Sequence, residues 1–164
     1  MTRINKYFLI GMLAGSVLAM SQCEDTSFKD EDNDEMWERE VSTYNGKESH
    51  NAGKDCGSCH RAGQNEYVFS VSGTVYQKDS SSVAPGSTVF LYTGPNGTGE
   101  MVLRLEVDRQ GNFYTTEPLS RNIQELYPTV TGPQGSIQHM STQPHTGSCN
   151  SCHGNTQAVI WVEP

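Results

Sequence analysis

The sequence predicts a mainly β protein, a two-sheet sandwich. Three observations support this. Apolar residues between positions 67 and 131 recur at period two. The short apolar runs are separated by Gly, Pro and Asn turn signals. No stretch of that region shows the 3.6-residue periodicity of an amphipathic helix.

In residues 67–75, Phe69, Val71 and Val75 fall on one face, while Ser70, Ser72 and Thr74 face the other way. Residues 89–92 form a second expected strand, entered through Ala84-Pro85-Gly86. The run 94–99, Gly-Pro-Asn-Gly-Thr-Gly, is a strong turn. Residues 101–107 alternate, with Arg104 and Glu106 outward and Met101 inward. A turn at 108–112 leads into 113–115. Residues 126–131 are a further strand and 158–162 the last.

The pieces Ser72-Gly-Thr-Val-Tyr76, Ala84-Pro-Gly-Ser-Thr-Val-Phe-Leu91 and Asp108-x-x-Gly111-x-Phe113 resemble a carboxypeptidase-regulatory-like, prealbumin-like β-sandwich. The resemblance covers about residues 67–131. It implies an immunoglobulin-like layout and an accessory or structural module, and it assigns no chemistry.

The ends of the chain differ from this middle. Residues 1–22 read as a secretory signal, with Arg3 and Lys6 before an apolar run from 7 to 20 that is too short to span a bilayer. Cys23 follows in a context resembling a bacterial lipobox, although Gln22 departs from the small residue usual there. Lipidation of Cys23 is one reading. Ordinary cleavage after residues 19–21 is the other. Residues 23–49 are expected to be an acidic, flexible tether. Nine acidic residues between Glu24 and Glu40 stand against only Lys29 and Arg39. The expected location is exported, in the cell envelope and lipid-anchored, on the periplasmic face or the cell surface.

Without residues 1–22 the chain has 9 basic and 19 acidic side chains, a formal charge of −10. That surface disfavours nucleic acid. It suits redox partners with basic docking patches.

Four of the five cysteines lie in two copies of one pattern, Cys56-Gly-Ser-Cys59-His60 and Cys149-Asn-Ser-Cys152-His153. A chain of this composition yields one such match by chance with a probability of about 0.004. Cys-x-x-Cys-His resembles the haem-attachment motif of c-type cytochromes, and residues 145–154 are similar to segments of multihaem members. The resemblance implies thioether bonds from Cys56, Cys59, Cys149 and Cys152 to two haem c groups. His60 and His153 are then the proximal iron ligands. Two alternatives stay open, a four-cysteine zinc site and a pair of redox disulfides.

His50, His145 and His139, with Met140 beside them, are the candidates for the second axial positions. His50 and His145 each lie upstream of a motif, and with so few residues between, each is expected to ligate the other motif's haem more readily than its own. Met101, read as core, is the weaker methionine. Tyr67, Phe69 and Trp161 are read as either haem cover or core.

The expected domain therefore spans 50–164: a haem segment at 50–66, a sandwich core at 67–135, a second haem segment at 136–156 and a last strand at 157–164. If the first and last strands run parallel, both motifs lie at one end of it. With enough histidines to fill every iron position, the reading is a dihaem electron carrier and not an enzyme. A haem-bearing assembly module, self-associating through its haems, is the alternative.

Overall fold

The computed structural model describes residues 39–164. The expected signal, Cys23 and the tether up to residue 38 lie outside the described residues.

Two sheets face each other. One has three strands in the order β4-β1-β7 and the other four in the order β3-β2-β5-β6. The strands are β1 (Val71–Gln77), β2 (Thr88–Gly94), β3 (Thr98–Glu106), β4 (Asn112–Thr115), β5 (Tyr127–Thr131), β6 (Ile137–His139) and β7 (Ile160–Val162). The protein is a β-sandwich. Val71, Val75, Val89, Leu91, Leu105, Phe113, Leu126, Val130 and Val162 fill the space between the sheets. Burying each such side chain contributes about 1.5–3 kcal/mol.

The turns form where their residue types demand. Gly111 sits at φ +83° and donates its N–H to the Asp108 carbonyl. The Asp108 carboxylate accepts from the backbone N–H groups of Gln110 and Asn112, closing an Asx turn between β3 and β4.

β1 and β7 run parallel, with Val75 opposite Ile160 and Gln77 opposite Val162. This is the arrangement that puts both Cys-x-x-Cys-His motifs at the same end. The approach to β7 already follows β1, because Ser72 bridges Ser148 in the parallel sense. The second motif is therefore an excursion between two contacts with one strand.

Four features differ from the sequence reading. Met101 is 50% exposed instead of inward. Leu91 pairs with Leu103 but Tyr92 pairs with Met101, so a bulge inserts Val102 and turns Met101 outward. Ser72 and Thr74, placed on the outer face of β1, are each 1% exposed, because the two motif segments lie over them. Residues 137–139, expected within a haem segment, form β6 and pair with β5. Residues 40–42, expected in the tether, lie along β4 instead. Ser42 donates its N–H to the Tyr114 carbonyl, and the Glu40 carbonyl accepts from Thr116. The buried Ser42 hydroxyl also bonds the Glu106 carbonyl, which ties this segment to both sheets.

Candidate haem-binding site

The two motifs fold into the same turn. Each is one 3-10 turn, Cys56–Ser58 and Cys149–Ser151. In the first, Cys59 and His60 both donate backbone N–H groups to the Cys56 carbonyl, at 3.1 and 2.8 Å. In the second, Cys152 and His153 donate to the Cys149 carbonyl at 3.2 and 2.9 Å. The last residue of each turn has nearly the same backbone, φ −109° and ψ −45° at Cys59 against −110° and −50° at Cys152. Ser58 and Ser151 each return a hydroxyl to the carbonyl three residues back, at 2.7 and 2.6 Å. Two residues between the cysteines place both on a single turn and put the histidine directly after it.

The histidine rings are oriented alike. His60 Nδ1 bonds the Tyr67 carbonyl at 3.2 Å, and His153 Nδ1 bonds the Ala158 carbonyl at 2.6 Å. A backbone carbonyl on Nδ1 is the usual device for fixing the tautomer of a metal-binding imidazole and raising its basicity. Nε2 is then the nitrogen each ring would offer to iron.

The turns abut. Asp55 and Ser148, the residues that precede them, hydrogen-bond through the Ser148 hydroxyl and the Asp55 carboxylate. The same hydroxyl accepts from the Gly57 N–H at 3.2 Å. A Cβ at Gly57 would lie 2.8 Å from the Ser148 oxygen, so only glycine permits this approach. Gly73 of β1 has the same role for the other turn, since a Cβ there would meet the Phe113 ring and lie 3.0 Å from the Cys149 Cβ. Gly57, Gly73, Asp55 and Ser148 were not singled out from sequence. Asp55 and Ser148 have only their adjacency to a motif as a signal, Gly57 lies inside one, and Gly73 lies in the β1 stretch that carries the sandwich resemblance.

Surroundings separate the two turns. Cys149, Cys152 and His153 line a cavity of about 600 Å³ that opens between the sheets. Val71 and Phe113 of one sheet and Leu91 and Val130 of the other form its inner wall, and Trp161 also lines it. None of the first motif's residues does. The volume is that of a cofactor site. His139, Met140 and His145 line the same cavity. The His139 ring is fixed through Nδ1 by the Thr129 hydroxyl at 2.9 Å. The carbonyl of His145 accepts from Gln124, but no hydrogen bond to a described residue fixes its ring.

The first motif has an aromatic wall instead. His60 stacks on Phe69 at 4.2 Å, and Phe69 stacks on Tyr114 at 4.9 Å. The His50 ring lies 5.8 Å from the His60 ring. Two imidazoles on opposite sides of one metal, at bonds of about 2.0 Å, have centroids roughly 6 Å apart. Each upstream histidine thus sits beside its own motif. These positions give no support to ligation of the other motif's haem.

Burial pushes the Cys149 thiol up to about 12, with Cys56 nearby as the second cause. Burial also raises Cys56. Sulfurs in such surroundings are poor thiolate nucleophiles, and a neutral thioether suits them. Cys56, Cys149 and Cys152 are free thiols, whereas Cys59 is disulfide-bonded. A thioether at Cys59 and that disulfide exclude one another. Among the described residues, no three His, Cys, Asp or Glu side chains converge on one point as a tetrahedral zinc site requires.

The residues present fit covalent haem. The second motif supplies two free thiols on a single turn, an oriented imidazole after them and a cofactor-sized cavity, and the first supplies the same turn and imidazole and fits once the Cys59 disulfide is opened. No family model, curated protein or solved structure matches the chain.

Proposed function

We propose that the protein is a dihaem c-type electron carrier of the cell envelope, anchored through a lipid on Cys23. The observation that carries this reading is the repeated turn, in which two Cys-x-x-Cys-His segments 93 residues apart adopt one backbone, orient both histidines alike and pack against each other.

In this reading Cys56 and Cys59 hold one haem, and Cys149 and Cys152 hold the other. Each haem iron, when bound, supplies a one-electron ferric/ferrous couple. His60 and His153 would each hold an iron through Nε2. His50, whose ring lies 5.8 Å from that of His60, would be the second histidine of the first site. His139 would be the second histidine of the other site, because the Thr129 hydroxyl at its Nδ1 orients a ring that lines the same cavity. Met140 and His145 are second choices. Phe69 would cover the first site, and Trp161 would line the second. The packed turns would hold the two haems near each other, which suits electron transfer within one molecule. A formal charge of −10 after removal of residues 1–22 fits docking to basic patches on redox partners. Two histidine ligands per iron and an acidic surface would both favour the ferric state, so negative midpoint potentials are expected in a redox titration.

The test is intact mass together with a pyridine haemochrome spectrum of the mature protein. The expected result is two covalent haems and a lipid at the N-terminal cysteine. Absence of a haemochrome sinks the reading. A single haem favours a competing one, in which the Cys59 disulfide persists and only the second motif is loaded.

A further inference from the structure

Beneath both motifs lies a buried polar cluster of Thr74 on β1, Asn112 at the start of β4 and Asn150 inside the second motif. They are 1%, 3% and 7% exposed. Polar side chains at this depth are costly unless every group is paired. Here every group is paired. The Thr74 hydroxyl donates to Asn112 Oδ1 at 2.7 Å and accepts from the Gly53 N–H at 2.8 Å and Asn150 Nδ2 at 3.0 Å. Asn150 Oδ1 accepts from the Thr74 N–H, and its Nδ2 also donates to the Lys54 carbonyl at 3.0 Å. Asn112 Nδ2 donates to the Ser49 hydroxyl and to the His50 carbonyl, both at 3.2 Å. The hydroxyl thus uses its donor and both acceptor positions, and each amide uses both N–H donors and has its oxygen paired.

What they hold is the loop 49–54. It contains His50 and leads directly into the first motif. Its anchors come from the sheet and from the second motif, so the place of His50 depends on residues far away in sequence. The Thr74 hydroxyl is the centre, because its proton sets which way the Asn112 amide faces. With that orientation the Asn112 nitrogen, and not its oxygen, meets the His50 carbonyl.

We infer that Thr74, Asn112 and Asn150 are positioning residues that hold His50 over the first haem and couple its ligation to the second motif. This rests on the dihaem reading above. A fully satisfied buried network specifies one arrangement, whereas a half-satisfied one does not. Loss of the Thr74 hydroxyl strands three partners together and frees the loop.

The experiment uses the full-length dihaem protein and its Thr74→Val, Thr74→Ser and Asn150→Ala variants. Haem count comes first. A variant or wild type that lacks covalent haem speaks to the dihaem reading and not to this inference. With two haems present, Thr74→Val is expected to convert half of the haem from low-spin to high-spin and to let carbon monoxide bind that half. Asn150→Ala is expected to affect the same haem, the first, although the substitution lies in the second motif. Thr74→Ser restores the low-spin spectrum. His50→Ala supplies the reference spectrum for a first haem without its distal ligand. If Thr74→Val lowers Tm but leaves both haems low-spin and closed to carbon monoxide, the network is structural only and the inference is overturned. The same holds if the haem that opens is the second one.

Discussion

The two Cys-x-x-Cys-His turns have the same backbone and different neighbours. The first, Cys56–Ser58, lies beside His50 and has a stack of His60, Phe69 and Tyr114 next to it. The second, Cys149–Ser151, opens into a cavity of about 600 Å³ that reaches the core between the sheets. A five-residue pattern therefore sets the local cradle, and the rest of the chain sets what surrounds it. On the proposed function the cradle dictates attachment, while the surroundings dictate potential, ligation and dependence of the fold on the cofactor.

The largest difference should appear in stability. On that reading a haem in the second site would occupy the cavity lined by Cys149, Cys152, His153 and Trp161. Cys149→Ala/Cys152→Ala is expected to lose that haem and to leave the cavity empty. The expected loss is about 4 kcal/mol in denaturant unfolding, in the range for large core cavities. Cys56→Ala/Cys59→Ala removes a haem that lines no such cavity and is expected to cost about half as much. Equal losses would mean that the cavity is not the second haem's place.

Ligation divides the sites next. His139→Ala is expected to turn half of the haem high-spin and to shift one midpoint potential upward, on the order of 100 mV. His145→Ala is expected to leave both haems low-spin, because no hydrogen bond from a described residue orients that ring. If His145→Ala opens the iron and His139→Ala does not, the second-site assignment reverses, and the Thr129 bond to His139 serves only the β5–β6 pairing.

The sandwich and the motifs were legible in the sequence for different reasons. Alternating apolar residues such as Val71 and Val75 or Val89 and Leu91 report a buried face directly. Cys-x-x-Cys-His is a local geometric unit, so its turn follows from spacing alone. The parallel pairing of β1 with β7 was only a conditional expectation, since nothing local in residues 71–77 or 160–162 states their partner. The polar face of β1 was misread for a physical reason. Ser72 and Thr74 look the same in sequence whether water or another chain segment covers them. The bulge that turns Met101 outward has no residue signature in β2 or β3, and β6 is too short for alternation to register. The Thr74, Asn112 and Asn150 network joins positions 38 and 76 residues apart and exists only in the fold.

Alkaline pH tests the wall of the first site alone. Tyr114 is 8% exposed, and its phenol is pushed up to about 12, first by burial and then by the nearby carboxylates of Glu40, Asp108 and Glu48. The neutral phenol is thus the form that the fold favours. Its contribution is whole below an ordinary tyrosine pKa of about 10. Above that, the unfolded chain ionises while the folded phenol does not, so stability falls as pH rises from 10 towards 12. The expected loss across that window is on the order of 2 kcal/mol. Tyr114→Phe keeps the stack on Phe69 and removes the proton. Its stability should decline less steeply than wild type over the same pH range, with little difference between the two at pH 7. Parallel curves would show that Tyr114 ionises freely in the folded protein, and the Phe69 stack would then be open to water on its outer side.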